Sequence, residues 1–192
     1  LAFSAGLKFS IAHCNFHLRP TDCDRDEQFV SHLAERYHVP FYCRSFQTKE
    51  DASMRGVSVE EAAWDERYSF FREVCEKHRI PYVATAHHRD DSIETFFINL
   101  LRGTGISGLH GIPQQNGNIV RPMLCFSRGE IDAYVRDNKL EYVEDYTNHQ
   151  LEFQRNKLRH QVLPLLRQIS PSFDSVMAQN MNRFSEVEQI YK

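Results

Sequence analysis

A chain of 192 residues with 41% hydrophobic and 26% charged side chains can bury one good core and a small helical appendage. Its net charge of −3 argues against a general nucleic-acid coat protein, yet permits an enzyme that grips RNA through a local basic patch. The five cysteines, Cys14, Cys23, Cys43, Cys75 and Cys125, form no C-x-x-C pair, which leaves reduced thiols in a cytoplasmic protein as the expectation.

Residues 8–15 read as a strand, with Phe9, Ile11 and Ala12 as its apolar content. Residues 21–37 switch to helical spacing through Phe29, Leu33 and Tyr37, with Asp24 and Glu27 as the expected cap. A second strand follows at 40–46. Ser58 and Glu61 then open a long helix with apolar positions Ala63, Phe70, Phe71, Val74 and Cys75. Residues 80–85 form a third strand, and a helix over 90–101 stops at Gly103. This alternation predicts an α/β fold: a Rossmann-like, doubly wound parallel sheet followed by a helical segment. Ligands in that architecture sit beyond the carboxyl ends of strands, here residues 15–19 and 86–91.

After Gly103 the rhythm changes to a glycine-punctuated loop reaching Pro113 and a turn over 114–118. Ser127 and Glu130 cap a helix to about Asn138, a further helix spans 155–167, and Ser170 with Pro171 restarts one. No apolar run exceeds strand length, so no membrane span is expected. No cleavable leader is visible. The chain opens on Leu1 rather than Met, so a fragment of a longer protein is expected. Two parts are expected, a catalytic domain over 1–148 and a helical segment over 149–192 leading to a further C-terminal region.

Asp90 or Asp91 with Glu94 are three or four residues apart, which puts their carboxylates and Thr95 on one helical face. The opposite side is apolar through Ile93, Phe96, Phe97, Leu100 and Leu101. Acidic residues at a helix start can simply offset the macrodipole. They can equally bind a metal, hold an ammonium group or act as a general base. An exposed cluster is expected, whose removal leaves melting nearly unchanged. Arg155, Asn156 and Arg159 lie at i, i+1 and i+4, either on a solvated face or against phosphate. Arg102 can serve a helix C-terminus, and His13 and His17 can be hydrogen-bonded structural residues. His110, His149 and His160 show no metal-ligand spacing.

His87-His88-Arg89-Asp90-Asp91-x-x-Glu94-Thr95, followed by Leu101-Arg102-Gly103-x-Gly105, resembles the signature of the tRNA(Ile)-lysidine synthetases, of the N-type ATP pyrophosphatase (PP-loop) superfamily. Other stretches resemble that family in order: Ala12-His13-x-Asn15-x-His17-x-Arg19, Glu61-Ala62-Ala63 with Arg67-Tyr68, Arg121-Pro122, Ser127-Arg128-x-Glu130-Ile131, Glu144-Asp145-x-Thr147-Asn148 and Arg155-Asn156-x-x-Arg159. The family's Ser-Gly-Gly-x-Asp-Ser phosphate loop would precede Leu1. Trp64 stands where the family tends to carry arginine.

The resemblance implies adenylation of O2 of the wobble cytidine in tRNA(Ile) with a CAU anticodon. The L-lysine ε-amine then displaces AMP to give lysidine. ATP and Mg²⁺ are the implied cofactors. It implies catalytic roles for Asp90, Asp91 and Glu94, with Asp90 and Asp91 as candidate Mg²⁺ ligands. It places ATP at His13, His17, His87, Arg102 and Gly103, and tRNA or other phosphate at Arg155, Asn156 and Arg159. A homodimer stays open. The rival readings are a tRNA-thiolating relative, a phosphoesterase built on His87, His88, Asp90 and Asp91, and a non-catalytic nucleotide-binding module.

Overall fold

A computed structural model describes residues 2–19, 22–144 and 154–191 of the chain. Its contacts separate two compact units, Leu1–Val83 and Ala84–Lys192.

In the first unit, strand β1 (Ile11–Asn15) pairs in parallel with β2 (Phe41–Ser45), in register from Ile11 opposite Phe41 to Asn15 opposite Ser45. The crossover between them is helix α1 (Asp22–Tyr37), with Asp22 and Asp24 in its first turn and Arg36 in its last, each matching the local end of the macrodipole. Asp24 is therefore inside the helix and not its cap. Its carboxylate and that of Glu27 instead accept hydrogen bonds from Asn15 Nδ2, at 3.1 and 2.8 Å. A short helix α2 (Thr48–Arg55), which the sequence pattern did not announce, ends at Gly56 in the left-handed conformation. Thr48 Oγ1 ties it to the next helix by donating to Glu66 at 2.7 Å. Helix α3 (Val59–His78) begins as expected, with Ser58 Oγ accepting the Glu61 N–H at 3.1 Å. It buries Ala62, Ala63, Phe70 and Cys75.

The expected third strand is reduced to β3 (Val83–Ala84), at the seam of the two units. It does not extend the β1–β2 pair. Its neighbour is β5 (Ile119–Val120), which pairs antiparallel with β4 (Gln115–Asn116) in a sheet of order β3-β5-β4. The physical reason is local: Pro81 has no N–H to give a ladder, and the Thr85 N–H is taken by the Val120 carbonyl at 3.0 Å.

Helix α4 (Arg89–Arg102) opens on a capping box. The Asp91 carboxylate accepts the His88 N–H at 2.9 Å, and His88 Nδ1 accepts the Asp91 N–H at 3.4 Å. Helix α5 (Arg128–Asp137) opens on the anticipated Ser127–Glu130 box. The helix expected over 155–167 is broken into α6 (Gln154–Lys157), a π turn (Leu158–Val162) and α7 (Leu163–Ile169). Pro164 explains the break, since it has no N–H for the carbonyl one α-turn back. Helix α8 (Phe173–Tyr191) closes the chain.

The core of this second unit is Ile93, Leu163, Met177 and Met181, with Phe96, Phe97, Leu166 and Phe173 packed around it. Ile93 and Leu163 are almost fully buried. Each such side chain contributes roughly 1.5–3 kcal/mol on removal from water. Only part of the apolar side anticipated for α4 is core, because Leu100 and Leu101 stay exposed. Gly111, at φ 70°, lies so close to Ser92 that an added Cβ would sit 2.4 Å from Ser92 Oγ. That hydroxyl accepts the Ile112 N–H at 2.9 Å, which holds the glycine-rich loop against α4. No helix among the described residues is long and apolar enough to cross a membrane.

Candidate active site

The second unit brings Glu94, Asp91, Arg159, Arg155 and Thr95 together. Glu94 faces inward from the first turns of α4 and has no solvent exposure. Arg159, in the π turn, meets it with two donors: Nε to Oε1 at 2.7 Å and Nη2 to Oε2 at 3.0 Å. The same Nη2 reaches Asp91 Oδ1 at 3.2 Å. Arg155 Nε lies 3.5 Å from Glu94 Oε2, and its Nη2 donates to Thr95 Oγ1 at 3.1 Å. Buried Glu94 contradicts the expectation of an exposed, easily removed carboxylate. A carboxylate so buried persists as an ion only when paired and hydrogen-bonded, and Arg159 supplies both conditions.

Asp90 is turned elsewhere. Its Oδ2 accepts the Arg128 N–H at the start of α5, at 2.8 Å, and its Oδ1 accepts from Arg167 Nη2 at 2.6 Å. Burial works to raise the Asp90 carboxyl, but the Arg128 N–H and the Arg167 guanidinium outweigh it and hold the group below the usual carboxylate range. Arg167 also forks onto Asp174, Nε donating to both carboxylate oxygens at 3.0 Å. Burial pulls the Arg159 guanidinium downward, and hydrogen bonds and charge from Glu94, with Asp91 and Asp90, more than restore it.

The mutual repulsion expected of three close carboxylates is thus offset by guanidinium groups of the chain itself. This bears on Mg²⁺. Every oxygen of Asp90 and Asp91 already accepts from an N–H or a guanidinium. Mg²⁺ demands near-octahedral oxygen donors with free lone pairs. As arranged, Asp90 and Asp91 do not fit it, and no three His, Cys, Asp or Glu side chains among the described residues converge as a metal site.

The other anticipated residues fall into separate settings. His87 Nδ1 shares a hydrogen bond with Thr85 Oγ1 at 2.9 Å. Arg102 is exposed at the end of α4, and Gly103 takes φ 76° there, its N–H bonded to the Leu100 carbonyl. Asn156 is buried beside the two arginines in sequence. Asp145, Thr147 and Asn148 lie outside the described residues.

His13 and His17 belong to the first unit. His13 lies opposite Cys43 in the strand register, and burial holds its imidazole below the ordinary value against the opposing charges of Glu27 and Asp26. His17 takes φ 47°, its N–H donating to Asn15 Oδ1 at 3.1 Å. Arg167 and Asp174 were not singled out from the sequence. Their one available signal was charge spacing on the helices flanking Pro171.

A parallel βαβ unit, a helix started by acidic residues and a buried carboxylate–arginine cluster define an α/β class of nucleotide-handling proteins. The chain belongs to the ATP-binding PP-loop domain family, whose model matches residues 1–166. Among similar proteins are the tRNA(Ile)-lysidine synthase of Bacteroides thetaiotaomicron, 42% identical over 188 residues, which are 98% of this chain and 44% of that protein. The synthase of Parabacteroides distasonis is 46% identical over 179 residues, 93% of this chain and 41% of that one. That of Geobacter sulfurreducens is 36% identical over 186 residues, 96% and 40% respectively. The chain spans less than half the length of these curated relatives. Among solved structures, the U34-tRNA thiolase NcsA from Methanococcus maripaludis matches with a TM-score of 0.71 at 14% identity, covering 92% of this chain and 62% of that one. That likeness shows the fold.

Proposed function

We propose that this chain is part of the catalytic region of a tRNA(Ile)-lysidine synthase, which uses ATP to replace O2 of a wobble cytidine with the ε-amine of lysine. The observation that carries this reading is the Glu94–Arg159–Asp91 cluster at the start of α4, in a chain so similar to proteins of that name.

The reaction requires two things that the cluster supplies. In the first step cytidine O2 attacks the α-phosphorus of ATP and pyrophosphate leaves, so negative charge must be met by cationic groups. Mg²⁺, when bound, supplies further charge neutralisation of this kind. Arg155 is the better placed of the two arginines to turn toward phosphate. Its side chain is 44% exposed against 27% for Arg159, and its contact with Glu94 is longer. In the second step the lysine nitrogen attacks C2, the C–O bond to AMP breaks, and the nitrogen gives up a proton. Free lysine, with a pKa of about 10.4, arrives as an ammonium. When Arg155 withdraws, Glu94 and Asp91 offer that ammonium a buried anionic seat and an acceptor for its proton. Arg159 stays as the fixed counter-charge.

His13, His17, His87, Arg102 and Gly103 are proposed as the ATP-side residues on the motifs they share with the family. Asn156 joins Arg155 and Arg159 toward phosphate. The decisive experiment is mass analysis of nucleosides from tRNA(Ile) incubated with the full-length protein, ATP and L-lysine. Lysidine in place of one cytidine supports the reading. Intact cytidine, or a thiolated uridine instead, refutes it.

A further inference from the structure

Asp90 and Glu94 stand one turn apart on α4, and each is bound to a different arginine of the same broken helix. Glu94 takes Arg159 in the π turn, and Asp90 takes Arg167 in α7, the latter at 2.6 Å. The pairs run in opposite order along the two elements, so they act as two fastenings of one helix against the other. The second fastening is the more elaborate. Arg167 is itself clamped by three contacts to Asp174 on α8, and the remaining Asp90 oxygen receives the first N–H of α5 at 2.8 Å. Four helices therefore converge on the Asp90–Arg167 pair, with no oxygen of Asp90 left for a substrate.

The placement beside a π turn gives this convergence a consequence. An α-helix broken at Pro164 can bend there, so the backbone that carries Arg159 is not fixed by its own hydrogen bonds. Something else must set where its guanidinium stands relative to Glu94 and Asp91. We infer that Asp90, Arg167 and Asp174 are positioning residues: their ion-pair brace sets the placement of Arg159 against Glu94 and Asp91, and through it the affinity of that seat for a substrate ammonium, without touching the substrate. The inference rests on the lysidine-forming reading and moves Asp90 from the reacting groups to their support.

The test uses the full-length protein and the variants R167Q, R167K and D174N. Lysidine formation is followed at varied lysine, and the side-chain Nε–H resonance of Arg159, assigned with R159K, is followed by NMR. R167Q should raise the KM for lysine by about tenfold, with a smaller change in kcat and none in the KM for ATP, the pattern of a misplaced binding group. D174N should do the same more weakly, and R167K should recover most of the lost affinity. The Arg159 resonance, slowly exchanging in the wild type, should exchange faster in R167Q. An unchanged resonance with an unchanged KM overturns the brace. So does an activity loss that tracks only the folded fraction and leaves KM as it was. Absence of lysidine in the wild type sinks the functional reading instead, and the resonance alone then decides whether Arg167 places Arg159.

Discussion

Arg159 donates from Nε and Nη2 to the two carboxylate oxygens of Glu94, which has no contact with solvent. Breaking such a pair from one side strands a buried charge and typically removes about 3–5 kcal/mol. Glu94→Ala and Arg159→Ala should each lower the denaturation midpoint strongly. Glu94→Met with Arg159→Met should recover much of that stability, since an apolar replacement of a buried pair is often near neutral. Lysidine formation should stay abolished in the double variant. Restored turnover there would mean that the pair serves stability alone.

Arg155→Ala should behave differently. The side chain is well exposed and its link to Glu94 is loose, so chemical denaturation should shift by less than about 1 kcal/mol. Pyrophosphate release should nevertheless fall by roughly ten- to a thousandfold, the range for losing a group that meets developing charge. Normal pyrophosphate release in a folded Arg155→Ala protein would return this arginine to a solvated helix face.

Acid titration reads the Asp90 brace directly. The Asp90 carboxyl lies below its ordinary value in the folded chain, so it binds its proton less readily folded than unfolded. Its stabilisation is thus fully present above the unfolded pKa of about 3.9 and is lost as pH falls through the lower folded value. The stability difference between wild type and Asp90→Asn should be constant near neutrality and shrink below about pH 4. A difference that grows on acidification would contradict the assignment.

Thiol reactivity should separate the cysteines. Burial pushes Cys14 up to about 11 and, with a hydrogen bond to Glu27, Cys43 up to about 12. At pH 8 a thiol with the former value is only about 0.1% thiolate. Cys125 is exposed. Timed iodoacetamide labelling with peptide mass analysis should therefore modify Cys125 first and Cys14 and Cys43 last.

Local signals carried much of this architecture. The Ser58 and Ser127 caps were readable because capping needs only neighbours in sequence, and the helix at 89–102 because its apolar and acidic faces repeat regularly. The PP-loop signature pointed to Asp91, Glu94, Arg155 and Arg159 as one group. What the sequence could not convey was which charge meets which. The pairing of Glu94 with Arg159, or Asp90 with Arg167, depends on how distant helices cross, and no spacing encodes that. The length of strand 80–85 failed for a related reason. Its residues suit a ladder, but Pro81 and the demand of Val120 on the Thr85 N–H decide how far it runs.

The π turn at residues 158–162 also constrains how this protein can change. Each residue of an α-helix advances about 100° around the axis, and the wider turn absorbs one residue without moving the elements on either side. A single deletion within 158–162 would convert the turn to regular helix and rotate all that follows by about that angle. Arg167 would then leave Asp90 while Arg155 kept its bearing on Thr95. Insertions and deletions in this stretch should therefore be far rarer in functional variants than substitutions, even where the substituted side chain is solvent-facing.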